Sequence, residues 1–178
     1  MKLVLKTWVN LLIVMVISFS SLCAQPEKDI NQTDVKGLKQ GFWKVSYENG
    51  KPKYEGWFKD NKPVGLLKRF YDDGTLKAQI LFDKTGKKAY TKMYYQNGVL
   101  AGEGNFIESM RDSVWKFYSF YDSSLRVEEA YKNGVKYGLS KKLYYSGKVA
   151  EELTYIDNKK EGKWIQYFES GTIKLKTT

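Results

Sequence analysis

The sequence predicts an all-β protein: a single-layer antiparallel meander of about six tandem 24-residue β-hairpins behind a signal peptide. Three observations carry this reading. A 24-residue period runs through most of the chain, and turn dipeptides recur at one phase of it. The composition, with 14 Tyr, 9 Phe and 5 Trp, suits strands that bury rings. Only 3 of the 178 residues are Pro and no Ser-rich or Gly-rich linker divides the chain, so one domain or one short array is expected.

The period is read by alignment. Residues 41–50, Gly-Phe-Trp-Lys-Val-Ser-Tyr-Glu-Asn-Gly, match 65–74, Gly-Leu-Leu-Lys-Arg-Phe-Tyr-Asp-Asp-Gly. Later units open at Ala89, Ser113, Gly138 and Gly162, giving spacings of 24, 24, 24, 25 and 24. The one extra residue falls near 122–124, in the fourth turn, and a half unit at 35–40 precedes the first. Asn49-Gly50, Asp73-Gly74, Asn97-Gly98, Ser146-Gly147 and Ser170-Gly171 lie in register. Such pairs tolerate positive φ and predict two-residue type I′ turns. Looser polar connections at 59–63 and 157–160 join one hairpin to the next. Short connections make neighbouring strands antiparallel.

The register then sorts side chains onto two faces. With two residues unpaired in each turn, Lys44 stands across from Glu55. Likewise Lys68 meets Gln79, Lys92 meets Glu103, Lys116 meets Glu128 and Lys141 meets Glu152. Opposite charges directly across a strand pair help to fix register, so this column reads as structural rather than as a basic ladder for a polyanion. The other face gathers the candidate binding residues Trp43, Tyr47, Tyr54, Phe58, Phe82, Phe106, Trp115, Phe117, Tyr131 and Tyr155. Leu76, Leu100, Leu125 and Val149 are placed with them, and Trp43 is expected over the bare strand at Gly56. A single sheet has no second layer to cover this face. Strong twist turns it into a narrow core, or a partner binds there; both readings stand.

Composition excludes several chemistries. The chain has no His, and its single Cys, Cys23, lies in the apparent leader. Ser-His and Cys-His catalysis and zinc sites with Cys or His ligands are therefore absent from the mature chain. Glu55 and Glu103 could do acid–base work, yet each recurs opposite a Lys, as a structural pair would. No phosphate-cradling Gly loop is visible. The chain is expected to be no enzyme, with no catalytic, metal or cofactor-binding residue. The net charge is +10, or +8 from 28 Lys+Arg against 20 Asp+Glu once Lys2 and Lys6 leave with the leader. That balance suits a soluble surface or attraction to anionic polymer or membrane; no nucleic acid is expected.

Residues 1–24 read as a signal peptide. Lys2 and Lys6 form the basic start, 8–19 are almost wholly apolar, and small residues lead to expected cleavage between Ala24 and Gln25. A polar segment, 25–34, precedes the array at 35–178. The protein is thus expected outside the cytoplasm, in the periplasm, at the cell surface or secreted.

The stretch 54–65, Tyr-Glu-Gly-Trp-Phe-Lys-Asp-Asn-Lys-Pro-Val-Gly, resembles a MORN repeat, whose pattern begins Tyr-x-Gly-x-Trp/Phe and ends in Gly. Residues 131–138, Tyr-Lys-Asn-Gly-Val-Lys-Tyr-Gly, and 159–164, Lys-Lys-Glu-Gly-Lys-Trp, resemble the bacterial variant described as the YwqK-like antitoxin family. The resemblance covers residues 31–178; Ala89 and Ser113 depart from it at the unit-opening Gly, and Ile80 at the place of Gly56. It implies a hairpin array acting in protein or lipid binding, with no catalytic residues. A signal peptide fits a periplasmic immunity role better than a cytoplasmic antitoxin. The expected partner is an unknown protein or a second copy.

Overall fold

The computed structural model describes residues 30–177; the leader and its cleavage point at Ala24 and Gln25 lie outside the described residues. Fourteen strands follow: β1 (Gln32–Thr33), β2 (Lys39–Ser46), β3 (Pro52–Lys59), β4 (Lys62–Phe70), β5 (Leu76–Phe82), β6 (Lys88–Tyr94) and β7 (Leu100–Ile107). Then come β8 (Met110–Tyr118), β9 (Leu125–Lys132), β10 (Val135–Lys136), β11 (Gly138–Leu143), β12 (Val149–Ile156), β13 (Lys159–Tyr167) and β14 (Ile173–Thr177). They form one sheet in chain order, with β10 beside β9 off the main path. The single-layer antiparallel meander is the observed fold. It starts before residue 35, because Gln32 and Thr33 already pair with β2.

The two edges of the sheet use different turns, and the expected assignment is reversed. At the Asn-Gly edge, the Tyr47 N–H donates to Lys51 O at 2.8 Å and the Gly50 N–H to Tyr47 O at 3.0 Å. The same pair of bonds closes the turns at Tyr71, Tyr95, Tyr144 and Phe168. Only the glycine of each dipeptide has positive φ, as in Gly50 at +80°. These are three-residue loops ending in a left-handed glycine, not two-residue type I′ turns. Asn49, Asp73 and Asn97 stay in ordinary conformations, and each Oδ1 accepts the N–H two residues on. The type I′ geometry sits at the other edge, where connections looked loose. Asp60 and Asn61 have φ of 50° and 66°, and Asp157 and Asn158 have 49° and 67°. The connection from β5 to β6 departs from this, running 83–87 with Gly86 at +69°.

The central register survives the corrected turns. Val45 stands opposite Tyr54, but Ser46 stands opposite Pro52, so a one-residue bulge at Lys53 makes up the difference. All five expected pairs, four of them Lys–Glu and one Lys68–Gln79, lie opposite one another. The pairing is more extensive than hairpins alone require. Glu55 also faces Lys68, Gln79 faces Lys92, Glu103 faces Lys116, and Glu128 faces Lys141. One ladder of alternating Lys and carboxylate or amide thus runs from β2 to β12. Lys68 Nζ reaches Glu55 Oε1 at 3.2 Å, and Lys141 reaches Glu152 at 3.9 Å.

The bulges also move side chains. Leu76, Leu100, Leu125 and Val149 pair with Phe70, Tyr94, Tyr118 and Leu143, which lie two residues along from the Lys column. They belong to the ladder face rather than the ring face, because the extra residue before Ala78 absorbs one step of alternation.

On the ring face, the core is a ridge of few residues. Trp115 is fully buried, and Ala78, Ala89, Tyr131 and Leu153 are nearly so. Trp115 lies flat over the backbone of Gly104: a Cβ added there would come within 2.4 Å of the ring. The expected ring over a bare strand is realised here. At Gly56, opposite Trp43 in register, the nearest atoms belong to Leu66 and Leu67.

Two outcomes follow. Gly104→Ala should destabilise the protein by about 3 kcal/mol through overpacking, whereas Gly50→Ala, in open space, should cost about 1 kcal/mol of left-handed strain. Urea midpoints for the two variants check the order. Lys68→Glu and Glu55→Lys should each weaken the fold slightly, and the exchanged double variant should recover roughly 0.2–1 kcal/mol. A double-mutant cycle measures that coupling.

Candidate functional site

The ring face is laid out in rows by the register. The aromatic at one fixed place of each hairpin stands opposite a unit-opening residue: Phe58 opposite Gly41, Phe82 opposite Gly65, Phe106 opposite Ala89, Tyr131 opposite Ser113, and Tyr155 opposite Gly138. A residue with little or no side chain leaves room for the ring beside it. A second signal, missed in the sequence, lies two residues before the unit opening. There Lys39, Arg111 and Lys136 place cations over the rings.

Two ring clusters result. In the first, Trp43 and Tyr54 pack on Phe58 with centroids 6.5 and 6.1 Å apart. Lys39 Nζ lies 4.5 Å from the Trp43 ring and donates to Tyr54 Oη at 2.7 Å. In the second, Trp115 packs edge-on against Phe106 at 4.9 Å and stacks on Phe117 at 6.1 Å. The Arg111 guanidinium covers Trp115, Phe117 and Tyr131 at 4.8 to 5.3 Å. Arg111 donates to Tyr131 Oη, which donates to Glu129, which accepts from Lys136. Burial works to raise the Glu129 carboxyl, but the bonds from Lys136 and Tyr131 outweigh it and hold it below its usual value.

The expected binding residues therefore divide. Trp115 and Tyr131 are core, closed over by Gly104, Arg111 and their neighbours, so they present little surface to a partner. Trp43, Tyr54 and Phe58 form a half-buried cluster, while Phe82 and Phe106 line a cavity of about 530 Å³ between the two clusters. Tyr47 stands at the turn edge, where its hydroxyl donates to Phe70 O at 2.8 Å. Tyr155 lies near the other end of the array, under Lys136 at 5.2 Å.

The cavity sits where the repeat is irregular. The β5–β6 pairing has no bulge, and Ala89 replaces the left-handed glycine, so Ala89 lies between Phe82 and Phe106. Small side chains at Ala78, Ala89 and Thr91 form its floor.

The ladder face carries apolar residues that the sequence reading passed over. Trp57, Leu66, Leu81 and Val114 remain 42–56% exposed. Phe42 pairs with Trp57, and Leu66 with Leu81, in a row beside the Lys column. The signal was present as apolar residues at the opposite parity, hidden because the Lys column marked that face as polar.

Glu103 anchors the middle of the ladder. Its oxygens accept from Tyr118 and Tyr90, each at 2.6 Å. These bonds, Tyr118 first, hold its carboxyl below its usual value, with Lys92 and Lys116 adding to the effect. Burial, then the bond to Glu103, pushes Tyr90 up from 10.0 to about 12 and raises Tyr118 in the same direction.

An open sheet of hairpins, each joined to the next by antiparallel pairing, defines a hairpin-repeat protein. The model of the MORN repeat variant family matches residues 39–60, 63–84, 89–108, 136–157 and 160–178, and the chain belongs to that family. The unmatched stretch contains the unit that opens at Ser113 and carries the extra residue. No curated protein matches the chain. Among solved structures, a crystal structure of TarM is similar over 66% of this chain and 20% of its own, at 16% identity and a TM-score of 0.41. A mutant of S. aureus TarM in complex with Fondaparinux, alpha-GlcNAc-glycerol and UDP is similar over 67% and 21%, at 14% identity and a TM-score of 0.41. The chain spans about a fifth of the length of these proteins.

The tyrosines set an alkaline limit. A tyrosine whose folded pKa lies above its unfolded value contributes fully below the unfolded value and loses that contribution as pH rises through the folded one. Stability should therefore fall between pH 10 and about 12. In the double variant Tyr90→Phe, Tyr118→Phe that fall should be shallower, as read from urea midpoints against pH. Glu103 acts in the opposite window: its contribution is present above its unfolded pKa and is lost as pH falls through the depressed folded one.

Proposed function

We propose that this protein is an exported, non-enzymatic binding module that holds a partner protein, or a second copy of itself, against its ring face. The observation that carries the proposal is the open cavity between two ring clusters on a sheet that has no second layer among the described residues. Aromatic rings bury large areas at low entropy cost and commonly dominate interfaces. The family's repeats suit such a role, because each adds width to one continuous surface. The apolar leader supports a location outside the cytoplasm, in the periplasm, at the surface or secreted. An antitoxin or immunity role would be one form of the same partner binding.

A second reading rests on the ladder face, where Trp57, Leu66 and Leu81 stand exposed beside lysines that alternate with Glu and Gln, and on the net positive charge of the chain. Such a face suits an anionic lipid or polymer surface.

Salt separates the two. A partner captured from the envelope fraction, or self-association seen by sedimentation, should change little between low and physiological ionic strength. It should weaken when Trp43 or Phe58 is replaced by Ala, with folding of each variant measured alongside. Binding that disappears with modest salt and survives both replacements would overturn the ring-face reading and favour the ladder face.

A further inference from the structure

Two features of the chain depart from the repeat, and they complement each other. The first is the cavity on the ring face. Its lining includes Arg69, Lys77 and Lys87 and no Asp or Glu. Lys87 is paired with Glu108 at 3.1 Å, whereas Arg69 and Lys77 are exposed and make no ion pair among the described residues. Arg69 stands opposite Ala78 in the register, so positive charge borders the apolar floor.

The second is the longer turn of the fourth unit, 119–124. Tyr121 is 87% exposed, the most exposed aromatic ring among the described residues, and Phe120 beside it is 44% exposed. Other turns carry Glu48, Asp72, Gln96 or Glu169 at the place of Phe120, and the Tyr145 ring at that place lies under Arg126 at 3.9 Å. The turn is held by its own bonds. The Ser119 N–H donates to Ser124 O at 2.8 Å, the Ser123 N–H to Ser119 O at 3.1 Å, and the Tyr121 N–H to Ser119 Oγ at 3.2 Å. Asp122 follows, and its Oδ1 accepts the Ser124 hydroxyl at 2.8 Å. A fixed, exposed ring followed by a carboxylate is the counterpart of an apolar cavity edged by unpaired cations.

We infer that Tyr121 of one copy enters the cavity of a second copy, with Asp122 against Arg69 and Lys77. The inference rests on the ring-face reading and names the occupant of that face as the protein itself. The contact is reciprocal by its layout. Phe120 packs edge-on against Tyr95 at 5.2 Å, and Tyr95 is also a wall of the cavity. Turn and cavity therefore adjoin in one self-complementary patch, and a twofold axis beside Tyr95 joins two such patches in a closed dimer. An aromatic side chain buries about 150–250 Å². Two rings from each copy thus set the dimer near the lower end of stable interfaces, at about 1,200 Å². Phe168 before Glu169 is a second exposed ring beside a carboxylate, but it lies under Lys174 at 5.8 Å and in the last turn, away from the cavity.

Sedimentation of the mature protein up to hundreds of micromolar should show a monomer–dimer equilibrium. In a mixture of isotope-labelled and unlabelled protein, filtered NOEs should connect the Tyr121 ring of one copy with methyl groups of Ala78, Ala89 or Met93 of the other. Tyr121→Ser should weaken dimerisation about tenfold or more, and Arg69→Glu should do the same. Asp122→Asn keeps an acceptor for the turn and should weaken it about fivefold. Phe168→Ser should leave it unchanged, with thermal midpoints taken for every variant. The inference is overturned if the protein stays monomeric, if the dimer is indifferent to Tyr121→Ser, if its filtered NOEs lie elsewhere, or if Phe168→Ser weakens it equally. Capture of another partner that depends on Trp43 and Phe58 would then leave the ring-face reading standing, whereas loss of that dependence would remove both.

Discussion

The structure depends on one constraint: a single sheet must supply its own cover. The described residues form no second layer, so a side chain among them is buried only by neighbours on the same face, and by the curl that brings those neighbours together. Trp115 shows what this demands. Its burial needs a bare strand beneath at Gly104, rings on both sides at Phe106 and Phe117, and a guanidinium above from Arg111. The unit-opening glycines follow from the same constraint. They stand beside the aromatic row and give each ring the space that a second layer would otherwise provide.

Neighbouring hairpins are tied by side chains as well as by backbone. The tyrosine at the start of four of the glycine-ended turns donates to a carbonyl just before the next turn, from Tyr47 to Phe70, Tyr71 to Tyr94, Tyr95 to Tyr118 and Tyr144 to Tyr167. The chain of bonds is interrupted in the fourth unit, where Ser119 holds the tyrosine's place and the turn is longer. The family model also skips this unit. An array whose stability is a sum of nearest-neighbour interfaces is weakest where such a tie is lost. The interface between the fourth and fifth units therefore lacks one side-chain tie that the others have.

Local sequence could not reveal the turn types, although it located the turns. Asn-Gly suits both a type I′ pair and a three-residue loop ending in glycine, and the choice depends on the strand twist on either side. Asp60-Asn61 and Asp157-Asn158 adopt the left-handed pair instead, where the second Asn also serves the preceding hairpin. Asn61 Oδ1 accepts from the Lys39 N–H, and Asn158 Oδ1 from the Lys136 N–H, each at 2.8 Å. That partner lies 22 residues away, so no short window of sequence contains it. The bulge before Ala78 was equally hidden. It carries Leu76 to the ladder face and leaves Lys77 at the cavity.

What the sequence alone determined was the period and the parity. A repeat of 24 residues and a Lys column facing carboxylates fix which residues lie opposite one another, because a one-residue slip would reverse both faces at once. The candidate ring face followed from that parity. The tertiary structure decided which rings are reachable. Trp115 and Tyr131 are enclosed because small residues, a cation and neighbouring strands converge on them. The cavity beside Thr91 opens because a missing bulge at Ala89 keeps Phe82 and Phe106 apart. Alternation assigns a side chain to a face, but exposure depends on how neighbouring strands curl and what they place above it. That is a property of the assembled sheet.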